Sequence, residues 1–247
     1  MRVVAIIQAR MGSQRLPGKV LLDIEGETML SRVVRRVQQS RLIDEVVVAT
    51  SVSPADDAVV AEAERLGVRA VRGSEDDVLA RYVDAARATD ADVIVRVSAD
   101  SPFVDPEVCD LVVSTFLSAD PPVDYASNKL EASFPLGLDA EAFSRDALER
   151  AARDAVVEYE RSHVTVHMYA NLEKFSLLPV SADGSRNLHS WRWTVDTPED
   201  LEFARTVFGR LGGSNEFSWK EVVALIDAEP ELGAINSHVV AKPIREG

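Results

Sequence analysis

Three cations and two glycines lie in one short segment directly after the first apolar run of the chain. The run RVVAII at 2–7 leads into QARMGSQRLPGK at 8–19, whose cations are Arg10, Arg15 and Lys19. Glycine lets a backbone come close to a ligand, and arginine and lysine side chains neutralise anionic groups. We therefore expect this loop to bind phosphate. The alternative is a solvated basic loop that only closes the end of a sheet.

The glycine spacing in this loop excludes two common nucleotide-binding motifs. The loop contains neither the GxGxxG of dinucleotide-binding proteins nor the GxxxxGK[ST] of phosphate loops. Three later apolar runs also end in polar segments, TSVSPADD, RGSEDD and SADSPFVDP, and the last holds Asp100 between small residues. This pattern predicts a site for a nucleotide and a divalent metal rather than a site for hydride transfer.

The charge of the whole chain is opposite to that of the loop. Its 41 acidic and 27 basic residues give a net charge of −14, so we expect no nucleic acid partner, which would require a broad basic face. No apolar run approaches the roughly 18 residues of a membrane span, and no signal peptide precedes RVVAII, so we expect no membrane contact. The single cysteine, Cys109, suits a reducing compartment. These features predict a cytoplasmic protein.

The residues around the polar segments predict a doubly wound α/β fold. Nearly continuous apolar runs predict strands at 2–7, 44–50, 68–71 and 92–97. Helical spacing between them predicts helices at 28–40, 54–67 and 75–90. This alternation is typical of a mostly parallel sheet that is covered on both faces. Ligands bind at the carboxyl ends of such strands, where the polar segments lie.

Beyond Pro106 the alternation is less regular. We predict strands at 123–127, 138–143, 174–180 and 189–195, and helices at 106–118, 144–154, 157–170, 197–211 and 218–228. No repeat or Ser/Pro-rich linker interrupts the chain, so we expect residues 1–247 to form a single domain. Within it we expect a nucleotide-binding half at 1–120. The other half, 121–247, is expected to hold the acceptor, the metal and the C-terminal helices, with an inserted subregion that faces the substrate.

The segment IIQARMGSQRLPGKVL resembles the signature of the cytidylyltransferases that make CMP-activated sugar acids, and especially the branch named for spore-coat polysaccharide synthesis protein F. The similarity continues in order through IDEVVVATS, RGSEDDVLARY, SADSPFVDPEV, GLDAEAF, ERSHVT and WRWTVDTPEDLE. It covers nearly the whole chain. The resemblance implies a fold of the nucleotide-diphospho-sugar transferase type. It also implies a reaction in which an acceptor oxygen attacks the α-phosphate of CTP and releases pyrophosphate.

The resemblance implies nucleotide contacts from the loop and from two later strand ends. Arg15 and Lys19 are expected to neutralise the β- and γ-phosphates and to form the catalytic set together with Asp100. The nucleotide-binding residues are expected to be Gln8, Ala9, Arg10, Gly12, Ser13, Arg15, Lys19, Arg72, Gly73 and Ser98. We expect the loop cations to be exposed and therefore to contribute little to folding.

The segment after the third predicted strand is similar to the base-recognising segment of the family. Arg72 and Gly73 lie in it, and an arginine can donate hydrogen bonds to the O2 and N3 acceptors of cytosine. A structural ion pair of Arg72 with Asp76 or Asp77 is the alternative.

The resemblance implies Mg²⁺ between two aspartates. Asp100 and Asp196 correspond to the family's metal ligands, and Mg²⁺ needs only one or two carboxylates beside phosphate oxygens. Helix capping is the alternative role for each, and Asp139 is a third candidate ligand. Ser98 and Ala99 stand where the family usually has Thr-Gly, which affects the expected contact with the base or ribose rather than the metal role.

The acceptor is expected to be a small anion, either a sugar acid or a phosphonate- or phosphate-bearing acid. Its expected binding residues are Asp139, Glu160, Arg161, His163 and Arg192. His163 is expected to contact the acceptor or accept its proton, and a structural role is the alternative. Leu136 replaces an acidic residue of many family members, which indicates an altered acceptor pocket. The competing function is a glycosyltransferase of the same fold that uses a nucleotide sugar, and a homodimer is compatible with either function.

Overall fold

A seven-stranded sheet runs through the computed structural model, which describes residues 1–182 and 186–240. The strands are β1 (Val3–Gln8), β2 (Asp23–Ile24), β3 (Glu27–Thr28), β4 (Glu45–Ser51), β5 (Arg69–Gly73), β6 (Val93–Ser98), β7 (Tyr125–Ser127), β8 (Glu141–Ser144) and β9 (Leu177–Pro179). The helices are α1 (Met29–Val37), α2 (Asp57–Arg65), α3 (Val78–Ala88), α4 (Pro106–Leu117), α5 (Arg145–Asp154), α6 (Glu158–Ser162), α7 (Val166–Ala170), α8 (Pro198–Arg210), α9 (Trp219–Ala228) and α10 (Pro230–Ala234). None of the helices in the described ranges is long and apolar enough to cross a membrane.

The sheet has the order β5-β4-β1-β6-β8-β7-β9, and β2 and β3 form a separate hairpin. Strand β1 is parallel to both β4 and β6, and β5 is parallel to β4. Strand β8 is antiparallel to β6 and β7, whereas β9 is parallel to β7. The predicted α/β class with a mostly parallel sheet is therefore confirmed. The division into halves at residue 120 stays a prediction, and strands from both sides of it share this sheet.

Alternate residues of β1 face opposite sides of the sheet, and both sides are buried. Val3, Ala5 and Ile7 belong to a cluster that includes α1, α4, α8 and α9, whereas Val4 and Ile6 belong to a second cluster with α3 and α5. Because helices cover both faces, the strand is apolar along its whole length, as a doubly wound fold requires.

Strands β1 and β6 end side by side. Gln8 pairs with Ser98, so the loop after β1 and the residues after β6 leave the sheet at the same edge. Two of the segments that the sequence predicts to bind ligands therefore lie at this edge.

Two predictions for the second half of the chain are wrong, and one helix there was not predicted. Residues 157–170 form the two short helices α6 and α7 because Val164 between them has a φ of +57°, which a right-handed helix cannot contain. Residues 189–195 are not a strand, and Arg192 within them forms an isolated bridge with Leu136. Helix α10 was not predicted, although Pro230 at its start is typical of a first helical position.

Candidate functional site

The loop after β1 folds back on itself. The carbonyl of Met11 accepts hydrogen bonds from the amides of Ser13 at 2.8 Å and Gly18 at 3.1 Å. Gly18 has a φ of +67°, which favours glycine, and one 3-10 turn, Lys19–Leu21, follows it. The buried carboxylate of Asp56 accepts from the Met11 amide at 2.7 Å and anchors the loop to the segment after β4. These bonds return the chain to the sheet edge at Lys19.

The ammonium of Lys19 lies between two carboxylates that are distant in sequence. Its Nζ is 2.8 Å from Oδ2 of Asp100, directly after β6, and 2.8 Å from Oδ1 of Asp196, just before α8. It also donates to the carbonyl of Val195 at 2.9 Å. Burial acts to lower the pKa of Lys19, but the two carboxylates outweigh it and raise the pKa. Lys19 is only 9% exposed, so the expectation of exposed loop cations is wrong for this residue.

Asp196 receives two more cations besides Lys19. Its Oδ2 lies 2.9 Å from Nη2 of Arg15 and 2.7 Å from Nη2 of Arg192. The buried carboxylate of Asp200 accepts from Nε of Arg192 at 2.9 Å and from the Asp196 amide at 3.0 Å. Burial acts to raise the pKa of Asp196, but the three cations lower it below its ordinary value. Arg192, which was predicted to bind the acceptor, is therefore placed to orient an ionised Asp196.

A close backbone contact positions the segment that leads to Asp196. The carbonyl of Leu136 accepts from the amides of Trp193 at 2.7 Å and Thr194 at 3.1 Å. Gly137 has a φ of +109°, and a Cβ at this position would lie 2.6 Å from the amide nitrogen of Thr194. Glycine is required here both for its conformation and for the close approach of the two backbones.

Neither predicted metal ligand caps a helix. Helix α4 is capped by Asp105 rather than Asp100, and α8 is capped by Thr197 rather than Asp196. Thr197 forms a reciprocal capping box with Asp200, as expected for Ser or Thr followed by an acidic residue at the third helical position. The capping alternative is therefore excluded for both aspartates.

The carboxylates of Asp100 and Asp196 provide a suitable donor set for Mg²⁺. They converge on one nitrogen, and Mg²⁺ prefers carboxylate and phosphate oxygens. Residues 1–182 and 186–240 contain no group of three or more His, Cys, Asp or Glu side chains that could hold a metal ion. A metal here would therefore take its other ligands from nucleotide phosphates and water.

Two cavities meet along the loop after β1. A cavity of about 590 Å³ brings together most of the predicted nucleotide and metal residues, and a cavity of about 690 Å³ continues beyond it. The predicted residues that line the first are Gln8, Ala9, Arg10, Gly12, Ser13, Arg15, Lys19, Ser98, Asp100, His163 and Asp196. Gln8, Ala9, Arg10 and His163 also line the second. The roles of these residues stay predictions, but the structure places them at one site.

Arg72 lies apart from both cavities. Its Nη1 is 2.7 Å from the carboxylate of Asp57, and its other nitrogens donate to the carbonyls of Ser51 and Ser53. The ion pair predicted with Asp76 or Asp77 is therefore made with Asp57 instead. The role of Arg72 in recognition of the base stays a prediction.

Besides Arg192, two more of the residues predicted to bind the acceptor have partners inside the protein. The carboxylate of Glu160 is buried and lies 3.0 Å from Nδ1 of His167. Arg161 donates to Asp77, the cap of α3, at 2.5 Å and to two carbonyls near the end of α5. These contacts hold α6 in place, whereas His163 directly after α6 lines both cavities.

Asp139 lies with three charged residues that the sequence analysis missed. They line a cavity of about 160 Å³ that also includes Asp100. Glu141 is 2.5 Å from Nη1 of Arg96 and 3.5 Å from Nζ of Lys129. Burial acts to raise the pKa of Glu141, but Arg96 and Lys129 lower it to about 2, whereas burial raises the pKa of Asp139. Arg96 and Glu141 could have been found from the sequence, because each is a charged residue inside an apolar run, DVIVRV and DAEAF respectively.

Known proteins are similar to this chain in both sequence and fold. The Cytidylyltransferase family model matches residues 4–224. Spore coat polysaccharide biosynthesis protein SpsF of Bacillus subtilis is 32% identical over 234 residues, with 93% of this chain and 95% of that protein covered. A 3-deoxy-manno-octulosonate cytidylyltransferase of Anaeromyxobacter sp. is 30% identical over 243 residues, with 83% and 96% covered. A cytidylyltransferase structure from Leptospira borgpetersenii has a TM-score of 0.90 at 33% identity, with 98% of this chain and 100% of that chain covered.

Proposed function

The chain belongs to the cytidylyltransferase family, and we propose that it transfers CMP from CTP to a small anionic acceptor with release of pyrophosphate. The observation that carries the proposal is the contact of Lys19 with Asp100 and Asp196. Asp100 lies 81 positions and Asp196 lies 177 positions after Lys19, and the three residues meet beside a loop that carries further cations. Such an arrangement suits a triphosphate with a bound divalent metal.

The reaction forms a bond between an acceptor oxygen and the α-phosphorus and breaks the bond to the β-phosphate. The negative charge of the leaving pyrophosphate must be neutralised, and we assign this to Arg15 and Lys19. Asp100 and Asp196 would hold Mg²⁺, which supplies further positive charge to the phosphate oxygens when it is bound. Charge placement and alignment are sufficient for such a transfer, and no covalent intermediate is needed.

The acceptor is assigned to Asp139 and His163, which line two different cavities that have Asp100 in common. Asp139 shares its cavity with Asp100, and His163 shares the larger cavities with the cationic loop. The relatives include a 3-deoxy-manno-octulosonate cytidylyltransferase, which supports a sugar acid as acceptor. A phosphonate- or phosphate-bearing acid is also a small anion, so both classes belong in the test.

Two further proposals concern the location and the assembly of the protein. Cys109 is buried and has no disulfide partner, which is in keeping with the proposed cytoplasmic location. A homodimer stays a prediction that measurement of the molar mass in solution checks.

The proposal is tested by pyrophosphate release from CTP and Mg²⁺ with a panel of sugar acids, phosphonates and phosphate-bearing acids. We expect release with one class of acceptor, and only when CTP is present. Consumption of a nucleotide sugar without CTP would instead establish the competing glycosyltransferase. Failure of every acceptor to elicit release, with nucleotide sugars also inert, would count against transfer.

Asp100→Asn provides the residue-level test. We expect it to lose nearly all pyrophosphate release at every Mg²⁺ concentration, because an amide is a weak ligand for this ion. Asp84→Asn, at an exposed position of α3, removes one carboxylate elsewhere and should retain parental turnover. Near-parental turnover of Asp100→Asn would remove the aspartate from the mechanism.

A further inference from the structure

Arg81 differs from the other deeply buried arginines of the protein. It is 2% exposed, and its Nε and Nη1 have no hydrogen-bond partner among the described residues. Arg32 and Arg36 are also fully buried, but each donates several hydrogen bonds to backbone carbonyls. A buried guanidinium without partners is costly, so a fold that retains one has a use for its donors.

Arg81 is one of the residues that line the cavity of about 690 Å³. Arg81 is in the first turns of α3, and its side chain crosses the end of β5, where a Cβ on Gly73 would lie 2.6 Å from its Cγ. The nearby charges are those of Arg10, Asp56 and Glu75, and burial lowers the pKa of Arg81. Glycine at position 73 therefore makes room for the side chain of Arg81, one of the residues that line the cavity.

The cavity lies where the nucleoside of a bound nucleotide would extend. Gln8, Ala9, Arg10 and His163 line both this cavity and the one that contains Lys19. A triphosphate held near Lys19 therefore has its nucleoside within reach of the larger space. Between the two pyrimidines, cytosine offers two adjacent acceptors, O2 and N3, to a planar donor such as guanidinium, whereas N3 of uracil carries a hydrogen.

We propose that Arg81 recognises the pyrimidine of the nucleotide by donating hydrogen bonds to O2 and N3 of cytosine, and that it thereby selects CTP over UTP. This inference rests on the proposed use of CTP. It assigns to Arg81 the contact that the sequence suggested for Arg72, whose nitrogens already bind Asp57 and two carbonyls.

The test compares three probes on the whole protein with Mg²⁺ present: CTP, UTP and inorganic tripolyphosphate, which has no base. In Arg81→Met we expect the CTP dissociation constant to rise roughly tenfold to a hundredfold, the value of hydrogen bonds from a charged donor. Tripolyphosphate has no base for Arg81 to contact, so its affinity should change less than about twofold. The preference for CTP over UTP should fall toward one.

Two further variants make the result specific. Arg81→Lys keeps the charge without the planar pair of donors, so it should lose most of the CTP preference as well. Arg87→Met removes an exposed arginine from the same helix and should change none of the three affinities. The free Arg81→Met protein should unfold at the same or higher urea concentration than the parent, because it no longer buries a charge that forms no ion pair with any described residue. A variant that fails to fold would show that Arg81 serves the fold and would overturn the proposal.

The outcomes separate this inference from the proposed function. Equal losses of CTP and tripolyphosphate affinity in Arg81→Met would place Arg81 at the phosphates and overturn base recognition. Unchanged CTP affinity and unchanged CTP preference would also overturn it. A parent protein that binds tripolyphosphate but shows no preference among nucleotides would instead refute the cytidylyl assignment itself.

Discussion

Replacement of Lys19 by methionine tests the central contact of the site without a large change in side-chain volume. In the parent, one ammonium is 2.8 Å from a carboxylate oxygen of Asp100 and 2.8 Å from one of Asp196. Those oxygens are therefore no further apart than twice this distance. Without Lys19, two unit charges near that separation repel by about 3 kcal/mol at an effective dielectric constant of about 20.

The expected net loss is smaller than the cost of breaking a fully buried ion pair. Removal of one partner of such a pair costs about 3–5 kcal/mol. Here the carboxylate side chains of Asp100 and Asp196 are 24% and 20% exposed, and Asp196 retains Arg15 and Arg192. We therefore expect Lys19→Met to lower the free energy of unfolding by about 2 kcal/mol in the absence of metal and nucleotide.

Mg²⁺ should reverse part of this loss because it supplies the positive charge that the two carboxylates have lost. The assay is urea unfolding of parent and variant, without nucleotide, with and without millimolar Mg²⁺. We expect Mg²⁺ to raise the midpoint of the variant more than that of the parent, in which Lys19 competes with the ion. Turnover with CTP should fall by orders of magnitude in the same variant.

Lys174→Met is the matched control for this experiment. Lys174 is half exposed and lies 3.5 Å from Asp154, so its loss should change stability by less than about 0.5 kcal/mol and show no Mg²⁺ effect. A Lys19→Met protein as stable as the parent would show that the three-way contact contributes nothing to folding. A destabilised variant that Mg²⁺ fails to rescue would refute the pairing of Asp100 and Asp196 at one metal.

Two other perturbations follow from the site. Glu141→Gln should destabilise the protein by roughly 3 kcal/mol at neutral pH, because the pKa of Glu141, about 2, lies well below the ordinary 4.5. A carboxyl group with a lowered pKa stabilises the fold above its ordinary pKa, so the difference in urea stability between parent and variant should shrink as pH falls from about 4.5 toward 2. A stability difference that does not change with pH would contradict this origin. Gly137→Ala should lower the free energy of unfolding by at least about 2 kcal/mol and also reduce turnover, because the new Cβ would clash with the backbone that leads to Asp196. The control Gly209→Ala, within α8, should leave both the melting temperature and the turnover near the parental values.

Much of the sheet was determined by local sequence. The runs at 2–7 and 92–97 predicted β1 and β6 to within one residue of Val3–Gln8 and Val93–Ser98, because a strand that is buried on both faces is apolar at every position. Because ligands bind at the carboxyl ends of parallel strands, the same runs also predicted a site at the loop after β1 and at Asp100. These predictions needed only periodicity and side-chain chemistry.

The environment of individual side chains was decided by the tertiary structure. Local sequence gives Lys19 as one cation of a polar loop, but residues 81 and 177 positions away bury it between two carboxylates. The same holds for Arg72 and Arg81, which lie in one short segment. Asp57 binds the first, whereas the second is buried beside a cavity, and two of its nitrogens have no hydrogen-bond partner in the described part of the chain.

The break between α6 and α7 has a similar origin. The pattern of residues 157–170 is compatible with one helix, but the contacts of Glu160 with His167 and of Arg161 with Asp77 accompany a left-handed Val164. Helical periodicity predicts which residues share one face of a helix, but it does not predict their partners elsewhere in the chain. Which charges meet depends on contacts between distant segments, and only the folded chain brings those segments together.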